Sequence, residues 1–190
     1  YNGLTLPATM TFTRNGKGYK VVSTIKVPLY HIRFESGGSI RGNTIRPSYY
    51  KDVRGGKTYA EAKFRGNQVT YGKTGELQTE TVGGNISDLF TLAWQLAAND
   101  AKLPARLSIT NGKKIYPVSG MSKIGSGSYT LNGKATPVEK YRVQRGDDTV
   151  TYSFATALGN IPAQISYTDD GKTYDLKLTS VSINGKPVKP

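Results

Sequence analysis

Ile86-Ser87-Asp88-Leu89-Phe90-Thr91-Leu92-Ala93-Trp94-Gln95-Leu96-Ala97-Ala98-Asn99 is the one stretch of this sequence with a clear helical period. At 100° per residue, Leu89, Phe90, Leu92, Ala93, Trp94, Leu96 and Ala97 cover an arc of roughly 200°, and Asp88, Thr91, Gln95 and Asn99 share the remainder. The pattern predicts an amphipathic helix over about residues 87–98. Ser87 reads as its N-cap, Asp88 as a complement to its positive end, and Asn99 as its stop. A helix of about a dozen residues is marginal alone in water, so burial has to stabilise it. So wide an apolar arc needs a concave partner, and the flanking strands have to curve around it.

Those strands are legible on both sides. Tyr19, Val21, Ile25 and Val27 alternate with Lys20, Thr24 and Lys26, and after Pro28 the phase inverts to Tyr30, Ile32 and Phe34. A slip of a period-2 pattern at proline predicts a bulge or sharp bend. Turns are expected at Asn15-Gly16, Gly37-Gly38 and Gly55-Gly56 before the helix. After it they are expected at Asn111-Gly112, Asn132-Gly133, Gly146-Asp147-Asp148, Asp169-Asp170-Gly171 and Asn184-Gly185. The expected architecture is mainly β: a curved antiparallel meander, either a half-barrel or an open barrel or β-roll, wrapped around the one helix. With no fixed-period repeat and no low-complexity linker, residues 1–190 read as a single β-rich domain.

The charge is uneven. Residues 1–73 carry 13 Lys and Arg against Glu35, Asp52 and Glu61, a balance of +10; residues 74–190 carry 13 against 10, a balance of +3. Such asymmetry points to an anionic partner for the N-terminal third, with Arg33, Arg41, Arg46, Lys51, Arg54, Lys63 and Arg65 as its binding residues. A basic surface that only keeps the chain soluble is the alternative. Six tyrosines, Tyr19, Tyr30, Tyr49, Tyr50, Tyr59 and Tyr71, are interleaved with these cations. Such a mixture can stack bases or sugars, but β propensity and half-buried rings explain it more simply.

The inventory for catalysis is thin. His31 is the single histidine, on a strand among basic residues, and reads as structural. There is no cysteine, no spaced-acid calcium loop and no phosphate-binding glycine motif, so no cofactor or metal is expected. The acid pairs Asp147-Asp148 and Asp169-Asp170 sit beside glycine, where Asp serves the turn. Glu61, Glu76 and Glu80 have no spacing that suggests a glycosidase pair. No run of 18 apolar residues exists to span a membrane, and a nucleic-acid partner is not expected, since no RNP-like motif is present.

Gly42…Ile45-Arg46-Pro47-Ser48-Tyr49-Tyr50, Phe64 before a short strand, Ser87-Asp88-Leu89-Phe90, and Phe154…Ile161-Pro162-Ala163-Gln164-Ile165 leading to Asp170-Gly171 occur in an order that runs along the whole chain. In this the chain resembles a family of exported Gram-negative envelope proteins that share a domain of unknown function. The family's helix usually opens Gln-Asp, and Ser87-Asp88 departs from that at its first position. The resemblance implies a periplasmic or outer-envelope location and a curved antiparallel β architecture, and it carries no catalytic residues. A start at Tyr1-Asn2-Gly3 without an initiator Met suggests a mature form or a trimmed chain, with any signal peptide already removed. The expected protein is a non-enzymatic envelope protein that binds an anionic lipid, lipopolysaccharide or acidic glycan through its basic N-terminal face. The alternative is a structural or assembly factor for a protein partner of the envelope. Whether Phe90 and Trp94 are sealed in or line an open groove separates an internal carrier from a surface binder.

Overall fold

Two antiparallel meanders and a helical crossover make up the chain, and the computed structural model describes residues 5–131, 133–169 and 171–189 of it. The first meander is β1 (Thr5–Asn15), β2 (Gly18–Val27), β3 (Tyr30–Arg41), β4 (Thr44–Arg54), β5 (Lys57–Arg65), β6 (Gln68–Lys73) and β7 (Gln78–Thr81). The chain then crosses through β8 (Asn85–Asp88), α1 (Leu89–Ala98) and β9 (Leu107–Thr110). The second meander is β10 (Ile115–Leu131), β11 (Lys134–Arg145), β12 (Asp148–Ala155), β13 (Ile161–Asp169) and β14 (Lys172–Ile183), with the two-residue β15 (Lys186–Pro187) on β14. Together they form one mixed sheet, ordered β7 to β1 and then β14 back to β8. The sheet is open and curved and does not close into a barrel.

The expected mainly β fold around one helix is what forms, with two additions. The sheet contains two parallel pairs, β8 with β9 and β1 with β14. A parallel pair cannot be closed by a hairpin and needs a long connection. For β8 and β9 that connection is α1; for β1 and β14 it is the body of the chain. The turn pattern could announce neither. The turns expected at Asn132-Gly133 and Asp169-Asp170-Gly171 include Asn132 and Asp170, which lie outside the described residues, as does Tyr1-Asn2-Gly3.

Two local readings are corrected. The phase inversion at Pro28 is a two-residue hairpin turn, not a bulge: Val27 pairs with Tyr30, and Leu29 takes a left-handed backbone (φ 79°). Paired residues across such a turn face the same side, which inverts the sequence phase. Gly37-Gly38 does not turn the chain; it lies within β3, and Gly42-Asn43 makes the turn. The β3–β4 register slips at Gly37-Gly38, and a Cβ on Gly38 would lie 2.0 Å from the Arg46 carbonyl oxygen. Glycine here permits a close approach of two backbones at a bulge that bends the sheet.

The helix begins two residues later than expected, and Asp88, not Ser87, is its cap. Asp88 Oδ1 accepts from the amides of Phe90 (3.0 Å) and Thr91 (2.8 Å). Leu89 through Leu96 are all buried, so the helix has no wet face over that length and meets solvent only at Ala97 and Ala98. Phe90 stacks on Phe34 (4.7 Å between ring centroids) and Trp94 on Phe12 (4.6 Å), while the Trp94 indole N–H donates to Met10 Sδ (3.0 Å). The Tyr152 hydroxyl donates to the Leu89 carbonyl from the other half of the sheet (2.7 Å).

The polar stripe that the period places opposite the apolar arc is an internal network. The Thr91 hydroxyl donates to Asp88 Oδ2 (2.8 Å) and so stands as acceptor to the Tyr19 hydroxyl (2.7 Å), with Ser36 Oγ 3.0 Å away. Gln95 spans the β3–β4 turn: its amide donates to the Asn43 carbonyl (2.6 Å) and its Oε1 accepts from the Ile45 amide (2.6 Å). Every one of these groups is buried at a cost that only its partners offset. No helix among the described residues is long and apolar enough to cross a membrane.

Burial pushes the Asp88 carboxyl up to about 6, against the hydrogen bonds from Thr91, Phe90 and Ser36 that pull it down. An unfolded Asp titrates near 3.9, so the folded state holds the proton more tightly. The Asp88 contribution to stability therefore falls as pH rises from about 4 to about 6, by roughly 3 kcal/mol, and is level outside that window. Asp88→Asn keeps a capping oxygen and removes the titration. In urea unfolding across pH 4–7, the wild-type-minus-variant stability should decline over that window; a constant difference contradicts the assignment.

Candidate functional site

On the outer face of the first meander the alternation of β2 to β5 places cations beside one another, and a single carboxylate organises the middle of the field. Glu35 on β3 lies 2.6 Å from the Arg33 guanidinium and 3.7 Å from Lys20 Nζ, and accepts from the Tyr49 hydroxyl at 2.5 Å. Against the burial that would raise it, Tyr49, Lys20 and Arg33 hold its carboxyl below the ordinary glutamate value. Lys51 sits opposite Glu35 on one side and Glu61 on the other, over the Tyr49 ring. Arg33 and Lys51 are thus engaged in this central cluster.

Toward the β3–β4 turn the acids run out. Ser39 pairs with Arg46 and Arg41 with Thr44, and these four residues line a depression of about 370 Å³. Arg46 also borders a cavity of about 210 Å³ lined by Pro47, Phe64, Ile86, Leu92 and Leu107, between β4 and α1. On the other side of the turn, an apolar groove of about 300 Å³ runs along the end of α1 past Trp94, with Arg14 at its rim. None of the described residues lining these three openings is acidic. Arg41, Arg46, Lys63 and Arg65 are exposed and have no ion-pair partner among the described residues.

Arg54 belongs elsewhere. Its Nε and Nη2 donate to the two Asp52 oxygens (3.2 and 3.1 Å), and its guanidinium lies on the Tyr59 ring (4.0 Å). Burial pushes the Asp52 carboxyl up, with Arg54 opposing. Next to this pair, Asp169 on β13 accepts from Lys113 (2.9 Å to each oxygen) and Asn111 (3.0 Å), both on the loop between β9 and β10. Gly112 in that loop packs against the backbone of β5, where a Cβ would lie 3.1 Å from Ala60 Cβ. This inner cluster joins the first meander to the crossover and the second meander. Its carboxylates are saturated by cations, which suits a clamp.

Of the seven cations singled out from the sequence, Arg41 and Arg46 line the depression at the β3–β4 turn, Lys63 and Arg65 stand exposed along β5, Arg33 and Lys51 engage Glu35, and Arg54 turns inward. Sequence reasoning missed Arg14, which sits two residues before the β1–β2 turn (Gly16-Lys17, one residue later than the expected Asn15-Gly16) and reaches the groove only through the pairing of β1. Tyr19, Tyr50 and Tyr71 are buried, Tyr30 is half-buried against the core, and Tyr49 and Tyr59 carry cations on their rings, so these six tyrosines form no open stacking platform. His31 is exposed and pairs with Lys26 across the β2–β3 hairpin. No group of three metal-ligating side chains is found among the described residues. Comparison with protein-family models, curated proteins and solved structures finds no match.

The inner cluster is expected to be structural. Asp169→Asn removes the buried carboxylate that Lys113 holds at 2.9 Å and should destabilise by up to about 3–5 kcal/mol, and adding Lys113→Met should recover part of that loss. Glu139→Gln, which breaks the exposed pair with Lys123 (3.0 Å), should cost far less, because solvent screens that pair. Equal costs for the two acid substitutions in thermal unfolding would contradict the clamp.

Proposed function

We propose that this protein is a non-enzymatic module of the bacterial envelope, working in the periplasm, that binds an anionic component (lipid, lipopolysaccharide or acidic glycan) through the arginine-lined end of its basic N-terminal face. The observation that carries the reading is the set of exposed Arg41, Arg46, Lys63 and Arg65, which have no ion-pair partner among the described residues, with Arg41 and Arg46 lining openings whose described lining holds no carboxylate. The balance of +10 over residues 1–73 supports it by long-range attraction, and the family resemblance supports export. Each Lys or Arg held near an anionic surface contributes about 1 kcal/mol, screened beyond a Debye length of ~8–10 Å. The chemistry needs no cofactor. Because α1 fills the concave side of the sheet and Phe90 is sealed in, the reading is of a surface binder with no large internal lipid chamber, and only Trp94 borders a small groove, at the end of the helix.

One observation favours a second reading, an assembly factor for an envelope protein. Beyond Pro117, β10 pairs only with β11 among the described residues, so its other edge, from Val118 to Leu131, presents unpaired backbone groups. Such an edge accepts an added strand from a partner.

Charge reversal separates a site from a diffuse effect. Arg41→Glu, Arg46→Glu, Lys63→Glu and Arg65→Glu together should weaken binding to phosphatidylglycerol vesicles and to lipopolysaccharide by several kcal/mol at low salt. Reversing the same number of exposed cations at Lys102, Lys134, Arg142 and Lys177 should cost far less. Equal losses from the two sets, or no wild-type binding at low salt, contradict the proposal.

A further inference from the structure

The groove at the end of α1 is lined mostly by apolar residues. Its floor is Trp94 and Phe12, which stack at 4.6 Å, and its walls include Ala97, Leu158 and Ile183. Along α1 from Leu89 to Leu96 every side chain is buried, but Ala97 and Ala98 are too short to reach the strands and the 3-10 turn that follows β12 (Thr156–Leu158) on the other side of the groove. The gap they leave is apolar and reaches solvent. At about 300 Å³ it stands at the small end of ligand pockets, with room for one hydrocarbon chain and not for several.

Arg14 is the one charged residue in the lining. Its Nε donates to the Gly16 carbonyl of its own hairpin (3.2 Å), which ties the guanidinium to the rim and leaves its terminal nitrogens without a protein partner among the described residues. A guanidinium presented in this way suits a phosphate or carboxylate headgroup. The negative end of α1 does not oppose this strongly, because the Gln95 and Leu96 carbonyls accept from the amides of Asn99 (3.1 Å) and Ala101 (2.8 Å).

We infer that the groove binds a single-chain anionic amphiphile, with its chain along Trp94 and Ala97 and its headgroup on Arg14. The inference rests on the proposed envelope function and narrows its ligand to a chain-bearing anion, at residues separate from Arg41, Arg46, Lys63 and Arg65.

Trp94 is the only tryptophan and reports directly on the groove. Dodecyl phosphate, titrated below its micelle concentration, should shift Trp94 emission saturably, while inorganic phosphate should not. Dodecylphosphocholine, with the same chain and no net charge, should bind at least tenfold more weakly, as should dodecyl phosphate to Arg14→Gln. Ala97→Phe fills the groove from a half-buried position and should abolish the shift while leaving vesicle binding through the arginine end intact. In the wild type, the Ala97 and Leu158 methyl resonances should move with dodecyl phosphate, a test independent of any variant's folding. Vesicle binding without a Trp94 response overturns the groove alone; loss of both overturns the groove and the proposed function together. Equal affinity for the phosphocholine, or methyl shifts confined to other positions, also overturns it.

Discussion

A short helix buried all round from Leu89 to Leu96 is the constraint on which this structure depends. Its apolar residues require a surface that wraps them, and its polar residues require partners inside that surface. Thr91 and Gln95 meet the second demand through Tyr19, Ser36, Asn43 and Ile45, all on β2 to β4 or the turn between β3 and β4. Tyr152 binds the first turn from β12 on the opposite side. A flat sheet could not satisfy both sets, so the curvature follows from the helix, and the bulge at Gly37-Gly38 is one place where the chain supplies it.

Two meanders wrapped on one helix still need to be held to each other. The parallel seam of β1 with β14 does this along one line, and the cluster of Asp52, Arg54, Lys113 and Asp169 does it at the far side through the β9–β10 loop. Both ties leave the β3–β4 turn at a rim where cations have no acids to answer them. The outer face of β3 and β4 is thus divided: Glu35 neutralises its middle, and Arg41 and Arg46 stay available at its end. Net charge alone does not make that division.

Much of the fold was legible because a period-2 pattern facing a single helix has few solutions. The buried faces of Tyr19, Val21 and Ile25, and of Ile32 and Phe34, were readable one strand at a time. What was not readable depended on residues far apart in sequence. Thr91 and Gln95 looked like a wet stripe because their partners lie about 50 to 70 positions earlier. Glycine pairs signal both turns and close approaches, and Gly37-Gly38 is the second kind. The candidate site was blurred by the same bulge. Arg46 and Arg54 are separated by an even number of residues and would share a face of an uninterrupted strand, but the register slip opposite Gly37-Gly38 sends Arg46 outward and Arg54 inward beside Asp52. Arg14 gave no local signal at all, since its role arises from where β1 lies against the helix end.

Native-state hydrogen exchange tests the central claim most directly, because it reads the opening free energy of each amide. If the sheet is built around the helix, the amides from Trp94 to Leu96 open only with global unfolding and match the slowest amides of β12 and β13. If those helix amides exchange through a smaller opening while β12 and β13 stay protected, the sheet holds its shape without the helix, and the account is wrong.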